Sequence, residues 1–541
     1  MVNYKKNILW MLPAALILLS SNAGATSTSQ NAEPQGTVTT NESADKRLTF
    51  VLRGIDLKGV TAFDAQLLTA AYAEQLNHEV TFTDLETIAR RITSLYRANG
   101  YFLAQAIVPL QVVKQGVVEI SVIEGQLGEV RINIAPNSPI TEQRIRDMLA
   151  SLVPGKPING PRYEHVMLLL SDVPGIRVRS TLMQGERPGT SDLVVAIEPT
   201  SRFLPTVEGD NYGDRITGRV QIGGAVRVAS PTKIGDNIDA KLMVSQGSKL
   251  TFGRVSYEAP IGSNGARGGV GISRMAYQLG EEFSVLDAHG IATIYDASLI
   301  FPFIRQRNEN LFLRLVINDK KLSNDLRAAE VSFDKRISGA GLGWSYEKRD
   351  QLFGEGYWNT NGLVYSGHLS LLDALSKDAD RGPSGPMTSG SFTKFDVQGS
   401  RLQALSSKSS LFTTLALQWT DSNLDPSEKF SLGGPQAVRA YPSGEGLVDQ
   451  GAIINLEWRY SINENLTSYG FYDMAHGRRS HMQTAVEDNY VNLRGPGIGV
   501  NWSKSNNFAM STTVAWRKSG PAVTDNNKAG AMFSWRLQKS F

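Results

Sequence analysis

The residues of this sequence best suited to chemistry are charged side chains set among residues that fix backbone shape. In Leu432-Gly433-Gly434-Pro435-Gln436-Ala437-Val438-Arg439-Ala440-Tyr441-Pro442, one arginine sits between two glycines, which open backbone angles closed to other residues, and two prolines, which lock theirs. The segment reads as a loop of defined shape, and a guanidinium held in such a loop offers a carboxylate bidentate recognition. Taken alone, the eleven residues also fit an ordinary hairpin loop with an exposed arginine. Other chemistry has less support. The chain has no cysteine, which removes thiolate nucleophiles and disulfides. The histidines at 78, 165, 289, 368, 476 and 481 show neither helical metal-ligand spacing nor a Ser/His/Asp arrangement, and no phosphate-binding Gly-x-x-x-x-Gly-Lys-Ser/Thr loop is present. No enzymatic activity, metal or cofactor is expected.

The elements that must position Arg439 follow from composition and period. With 541 residues, more than one domain is expected, and a net charge of +3 argues against a nucleic-acid partner. Residues 1–25 carry Lys5 and Lys6, an apolar run from Ile8 to Leu19, and Ala23-Gly24-Ala25, the pattern of an export signal. No later apolar run is long enough for a membrane helix, so the product is either soluble outside the cytoplasm or crosses a membrane as a β-barrel. Residues 26–47, polar and without period, read as a flexible leader or a plug segment.

From residue 48 to 125 the pattern predicts a strand (Phe50 to Leu57), a helix (about Ala65 to Leu76), a second helix starting at Asp84 as N-cap, and strands at Phe102 to Val108 and Val117 to Ile123. The same order recurs over 126–200. A strand near Glu129 to Ile134 is followed by helices at Thr141 to Leu152 and Pro161 to Ser171, then strands at Ile176 to Met183 and Leu193 to Ile197. Two tandem α+β modules are expected.

Over 201–541 the helical period gives way to two-residue alternation. Ile454, Leu456, Trp458, Tyr460 and Ile462 form one apolar face against Asn455, Glu457, Arg459 and Ser461. Leu311, Leu313, Leu315 and Ile317 repeat this against Arg314 and Asn318, as do Phe508, Met510, Val514 and Trp516 against Ser511, Ala515 and Arg517. Apolar outside and polar inside is the requirement of a lipid-facing barrel with a wet lumen. About 16 such segments can be counted. Short turns near 262, 305, 351, 406, 464 and 505 fall at one end, and longer loops at 319–333, 371–389, 421–450 and 477–491 at the other. Lumen arginines such as Arg314, Arg459, Arg517 and Arg536 are expected to pair with wall carboxylates. The tryptophans at 344, 419, 458, 502, 516 and 535 fit the lipid face or its girdles, and the terminal Phe541 reads as a barrel assembly signal.

Several local motifs in order give the chain a resemblance to a known family, the outer-membrane transporters of two-partner secretion (filamentous-haemagglutinin and haemolysin secretion/activation proteins). In the first module Gly100-Tyr101, Val108-Pro109-Leu110-Gln111 and Val122-Ile123-Glu124-Gly125 are similar to that family's first polypeptide-transport-associated (POTRA) domain. In the second module, Asp172-Val173-Pro174-Gly175-Ile176 and Pro188-Gly189-Thr190-Ser191-Asp192-Leu193 match as well. Asp210-Asn211-Tyr212-Gly213 resembles the first barrel strand. The resemblance implies that Val438-Arg439-Ala440-Tyr441 is the tip of an extracellular loop folded into the lumen. Its arginine would meet an acidic residue on the inner wall, for which Asp473, in Gly470-Phe471-Tyr472-Asp473, is the matching position. The chain departs from the family pattern at Ala440, where many relatives have glycine, and at Met474-Ala475-His476.

The resemblance further implies a function. Periplasmic modules would capture an unfolded exoprotein with an N-terminal secretion domain, an adhesin, haemolysin or similar, and the barrel would export it without ATP. The groove is placed by resemblance on the first module, which nominates Phe102, Val108, Pro109, Val117, Ile120 and Ile123. Outer-membrane lipid and, during biogenesis, the barrel assembly machinery are the other expected partners. The main alternative is a factor that inserts other barrel proteins; a passive porin and a barrel-borne hydrolase have less in the sequence to support them.

Overall fold

A computed structural model of the chain describes residues 49–541 apart from 384, 483–487, 505–506 and 526–529. The expected export signal and leader lie outside the described residues. Among these residues no helix is long and apolar enough to cross a membrane.

The first module is a three-stranded sheet with Val117–Ile123 at its centre, parallel to Gly54–Lys58 and antiparallel to the free-edged strand Gln105–Ile107. Helix Phe82–Ala98 covers it with Leu85, Ile88, Ala89, Ile92 and Tyr96. Its N-cap is Thr81, not Asp84. Asp84 is the third helical residue, and its carboxylate closes a capping box back onto Thr81. The expected strand from Phe50 to Leu57 is broken: Phe50–Val51 pairs with Glu79–Val80, while Arg53 and Gly54 both donate to the Gly116 carbonyl. The preceding helix covers only Ala65–Thr69, and a single 3₁₀ turn at Ala73–Gln75 follows it, with Tyr72 turned into the core between them.

Glu124, at the end of the central strand, ties this module together. Its buried carboxylate accepts from the Thr61 and Ala62 amides (2.7 and 2.8 Å), the Thr61 hydroxyl and the Tyr96 hydroxyl (2.7 Å). Burial alone would raise its pKa, but these donors outweigh burial and hold it below the usual value.

The second module repeats the plan. Thr190–Pro199 lies between Gln126–Ile134 (parallel) and Ile176–Gln184 (antiparallel), with helices Glu142–Leu149 and Gly160–Ser171 capped by Thr141 and Asn159. It sits directly on turns of the barrel. Asp172 receives two bonds from Arg305 (2.8 and 2.7 Å), Glu164 accepts from the Arg307 amide (2.9 Å), and Arg144 donates to the Gly262 carbonyl (2.6 Å).

The barrel closes with sixteen antiparallel strands, from Phe203–Asp210 to Ala531–Ser540, and these two pair across the seam from Thr206↔Ser540 to Asp210↔Arg536. Its faces follow the predicted alternation: Leu456, Trp458, Tyr460 and Ile462 are exposed, whereas Asn455 and Glu457 are buried towards the lumen. One expected loop is mostly strand. Residues assigned to 319–333 belong to Glu309–Leu326 and Val331–Asp350, joined by four residues. These strands rise past the apolar belt, where an outward face is free to be polar, so loss of the apolar alternation does not mark a strand end. Similarly, the 477–491 loop is shortened at both ends by Leu466–Arg478 and Tyr490–Lys504, and 371–389 contains a short helix, Ala374–Arg381.

Replacing Glu124 with Gln should loosen the first module by about 1–3 kcal/mol, since a neutral amide cannot accept all four bonds. Because the folded carboxyl titrates below its unfolded value, its contribution is present above the unfolded pKa and is lost as pH falls through the folded one. Limited proteolysis of the full chain against pH checks both statements: cleavage within 49–125 should rise in Glu124→Gln at neutral pH and in the unmutated chain only under acid.

Candidate functional site in the barrel lumen

Between the strands Ser409–Thr420 and Gln450–Asn463 the chain makes a long loop that turns back into the lumen. Its tip is closed on itself. Val438 N–H donates to Leu432 O (3.0 Å), Ala437 N–H to Gly434 O (3.0 Å) and Gly433 N–H to Glu445 O (2.9 Å), while Gly434 takes φ +131°, a conformation that disfavours any side chain. Leu432, Val438, Ala440 and Tyr441 are buried against wall residues Ile453, Tyr469, Phe471, Val491 and Leu493. The Ala440 methyl packs on Gly495, where no β-carbon competes for the space.

This shape delivers Arg439 to the wall. Its backbone N–H and Nε donate to Asp473 Oδ2 (3.0 and 2.9 Å), Nη2 to Asp473 Oδ1 (2.6 Å), and Nη1 to Glu457 Oε1 (2.5 Å). The guanidinium carbon lies 3.5 Å from the centre of the Phe471 ring. Asp473 is 0 % exposed. Asn455 bridges wall and loop, donating to Asp473 Oδ1 and to the Ala437 carbonyl, both at 2.8 Å. Arg459 takes the other oxygen of Glu457 (2.8 Å). Two guanidinium groups thus face two carboxylates, and the buried cluster is electrically balanced.

Glu457, Asn455 and Phe471 were not singled out from sequence as partners of Arg439. The turn at Glu464-Asn465 would by itself set Asn455 opposite Met474; an irregularity at Ile462 shifts the register by one residue, which puts Asn455 opposite Asp473 and Glu457 opposite Phe471, and no sequence signal marks that shift. Tyr441 is held separately, its hydroxyl donating to Gly520 O (3.1 Å) and accepting from Ser519 N–H (3.2 Å), and Arg517 Nε donates to Ala440 O (3.0 Å).

A second ionic contact holds the limb of the loop that leaves Thr420. Lys320 and Lys394 meet Glu428 (2.5 and 3.3 Å), and Lys335 meets Asp425 (2.8 Å), all on the lumen side of the wall. The loop is therefore gripped by charge at two places and fills part of the bore. Of the lumen arginines, Arg459, Arg517 and Arg536 pair with Glu457, Asp525 and Glu208. Arg314 instead lines a cavity of about 400 Å³ that Asp172 of the second module also borders.

On the first module the nominated residues divide. Phe102, Val117 and Ile123 are exposed, and Val108 and Pro109 are half-buried. Ile120, expected at the groove, is 0 % exposed and belongs to the module core, because it occupies the helix-facing side of the central strand and so presents nothing to a partner. Sequence reading passed over Leu110 and Val112, 107 % and 83 % exposed just beyond the free-edged strand. Phe541 is exposed at the barrel end, its N–H bonded to Pro205 O (3.1 Å).

Comparison with known proteins agrees with this architecture. The family model described as haemolysin secretion/activation protein ShlB/FhaC/HecB matches residues 189–502, more than half of the chain, and the ShlB-type POTRA domain matches 50–125. The chain is 27 % identical to the heme/hemopexin transporter protein HuxB of Haemophilus influenzae over 452 residues, covering 81 % of this chain and 78 % of HuxB. It is 23 % identical to the outer membrane transporter CdiB of Escherichia coli, covering 76 % of this chain and 69 % of that protein. The solved structure of CdiB from Escherichia coli superposes with a TM-score of 0.75 at 18 % identity over 93 % of both chains, a likeness of fold. A barrel of sixteen strands with its modules at one mouth and a loop drawn into its bore thus carries the family's own sequence signature: the chain belongs to the haemolysin secretion/activation family, the outer-membrane transporters of two-partner secretion, with its N-terminal modules in the periplasm.

Proposed function

We propose that the first module captures an unfolded exoprotein and that the barrel passes it outward once the lumen loop yields. The observation that carries this reading is the loop itself. It occupies the bore but is fixed there by ion pairs and hydrogen bonds, with no covalent link, so a passing chain can displace it. The free edge of Gln105–Ile107 offers unpaired backbone groups for strand addition, and Leu110 and Val112 beside it supply apolar contacts that add affinity with little sequence demand. Transport needs no nucleotide in this scheme, since folding of the cargo outside makes the movement directional. The cargo is a large exoprotein with an N-terminal secretion domain, of the adhesin or haemolysin kind. Contact with the barrel assembly machinery belongs to biogenesis.

Secretion into the medium, followed by mass spectrometry with and without the gene, tests the reading. Loss of one large exoprotein with other outer-membrane proteins unchanged is expected. A joint fall of many barrel proteins would instead favour the assembly-factor alternative.

Two variants probe the parts separately. Arg439→Ala leaves the buried Asp473 with no cationic partner and Glu457 with Arg459 alone, and should weaken loop anchoring by about 3–5 kcal/mol. Loop cleavage by added protease should rise and secretion fall, while heat-modifiable migration shows an intact barrel. Arg439→Lys, able to meet one carboxylate but not fork across both, should fall between. Leu110→Asp with Val112→Asp should lower secretion and binding of the purified secretion domain, with no change in loop cleavage.

A further inference from the structure

The outward face of the tall wall carries a feature that export does not use. Along Glu309–Leu326 the outward residues run Glu309, Leu311, Leu313, Leu315, Ile317, Asp319 and Lys321. Glu309 pairs with Lys348 (3.3 Å) at the periplasmic rim. From there to Asp319 the strand climbs about 25 Å along the membrane normal, at about 3.3 Å per residue and a tilt of about 40°, the height of an apolar belt. Lys321 therefore stands just above the hydrocarbon, in the outer headgroup layer.

Strand register places it in a row. Arg274 lies opposite Thr293, Thr293 opposite Lys321, Lys321 opposite Arg336, and Arg336 opposite Ser370. Three exposed cations thus lie within about 14 Å across neighbouring strands. Among the described residues Arg274 and Lys321 form no ion pair; Lys321 lies 5.7 Å from the centre of the Tyr295 ring. In this row and the next one towards the membrane (Ile272, Tyr295, Asp319, Ser338, His368), the one acid is Asp319, which binds Arg336 and Ser338, both at 2.7 Å. Asp334 stands one row further out, opposite Ser323. Positive charge is in excess at the depth where lipid phosphates lie, with the hydroxyls of Thr293, Ser338 and Ser370 beside it.

We propose that Arg274, Lys321 and Arg336 form a binding site for the phosphate-bearing headgroup of an outer-leaflet lipid. Arginine forks and a lysine at a membrane surface are suited to phosphate, while the exposed Leu315, Ile317 and Leu342 below meet the acyl chains. The test measures retention of lipid A by the purified full chain in detergent, using native mass spectrometry. Arg274→Gln/Lys321→Gln/Arg336→Gln should retain lipid A about tenfold less well. Arg494→Gln, an exposed outward cation on the strand Tyr490–Lys504, remote in the strand order, should change nothing. If the triple variant does not fold, Arg274→Gln and Lys321→Gln singly should each lower retention about threefold, with Lys321→Arg restoring it. Unchanged retention in these variants would overturn the site. So would displacement of lipid A by millimolar inorganic phosphate, which would mark a simple anion site with no lipid preference.

Discussion

One buried interaction, the fork of Arg439 across Asp473 and Glu457, fixes the arrangement of the lumen. Removing four charged groups from water is costly, and a balanced cluster of this kind returns little net stability over a well-packed apolar substitute. What it supplies is position. A leucine in place of Arg439 would find many apolar niches on the wall, whereas a guanidinium with two bonds to one carboxylate and one to a second, its own backbone N–H adding a third bond to the first, has a single seat. The depth of the loop, the fit of Ala440 on Gly495 and the reach of Tyr441 to Gly520 follow from that seat.

On the proposed export route, the same physics lets the closure reverse. The lumen is polar, so the groups that hold the loop have alternative partners in water and in the backbone of a passing chain. The lysine contacts with Asp425 and Glu428 anchor the other limb in the same exchangeable way. An apolar plug of equal size would exclude water and offer a polar polypeptide nothing in exchange. The outside of the wall obeys the opposite rule, apolar where it meets acyl chains and charged only at its two rims.

Much of this was legible in the sequence, because the barrel imposes a strict two-residue period and the modules a helical one. The sixteen strands, the outward tryptophans and the loop with its single arginine could be read directly. Four kinds of detail could not. Strand ends beyond the membrane lose the apolar alternation, so Asp319 to Ser323 looked like loop although they are paired on both sides. Local propensity placed the helix start at Asp84, but the reciprocal bonds between Thr81 and Asp84 moved it upstream. Ile120 and Ile123 look alike in a strand pattern; only packing against helix Phe82–Ala98 puts the first inside and leaves the second out. Glu457 was recognised as lumen-facing, but its role beside Arg439 emerges only when hairpin register and the loop's depth are combined.

The absence of cysteine permits a direct test of loop displacement. A cysteine at Ala437, buried at the loop tip, is labelled from outside with a membrane-impermeant maleimide, at rest and with a cargo stalled in transit. Little labelling is expected at rest and strong labelling when cargo occupies the lumen. Equal protection in both states, with cargo demonstrably in the bore, would contradict displacement, since the loop would then remain seated on Asp473 throughout export.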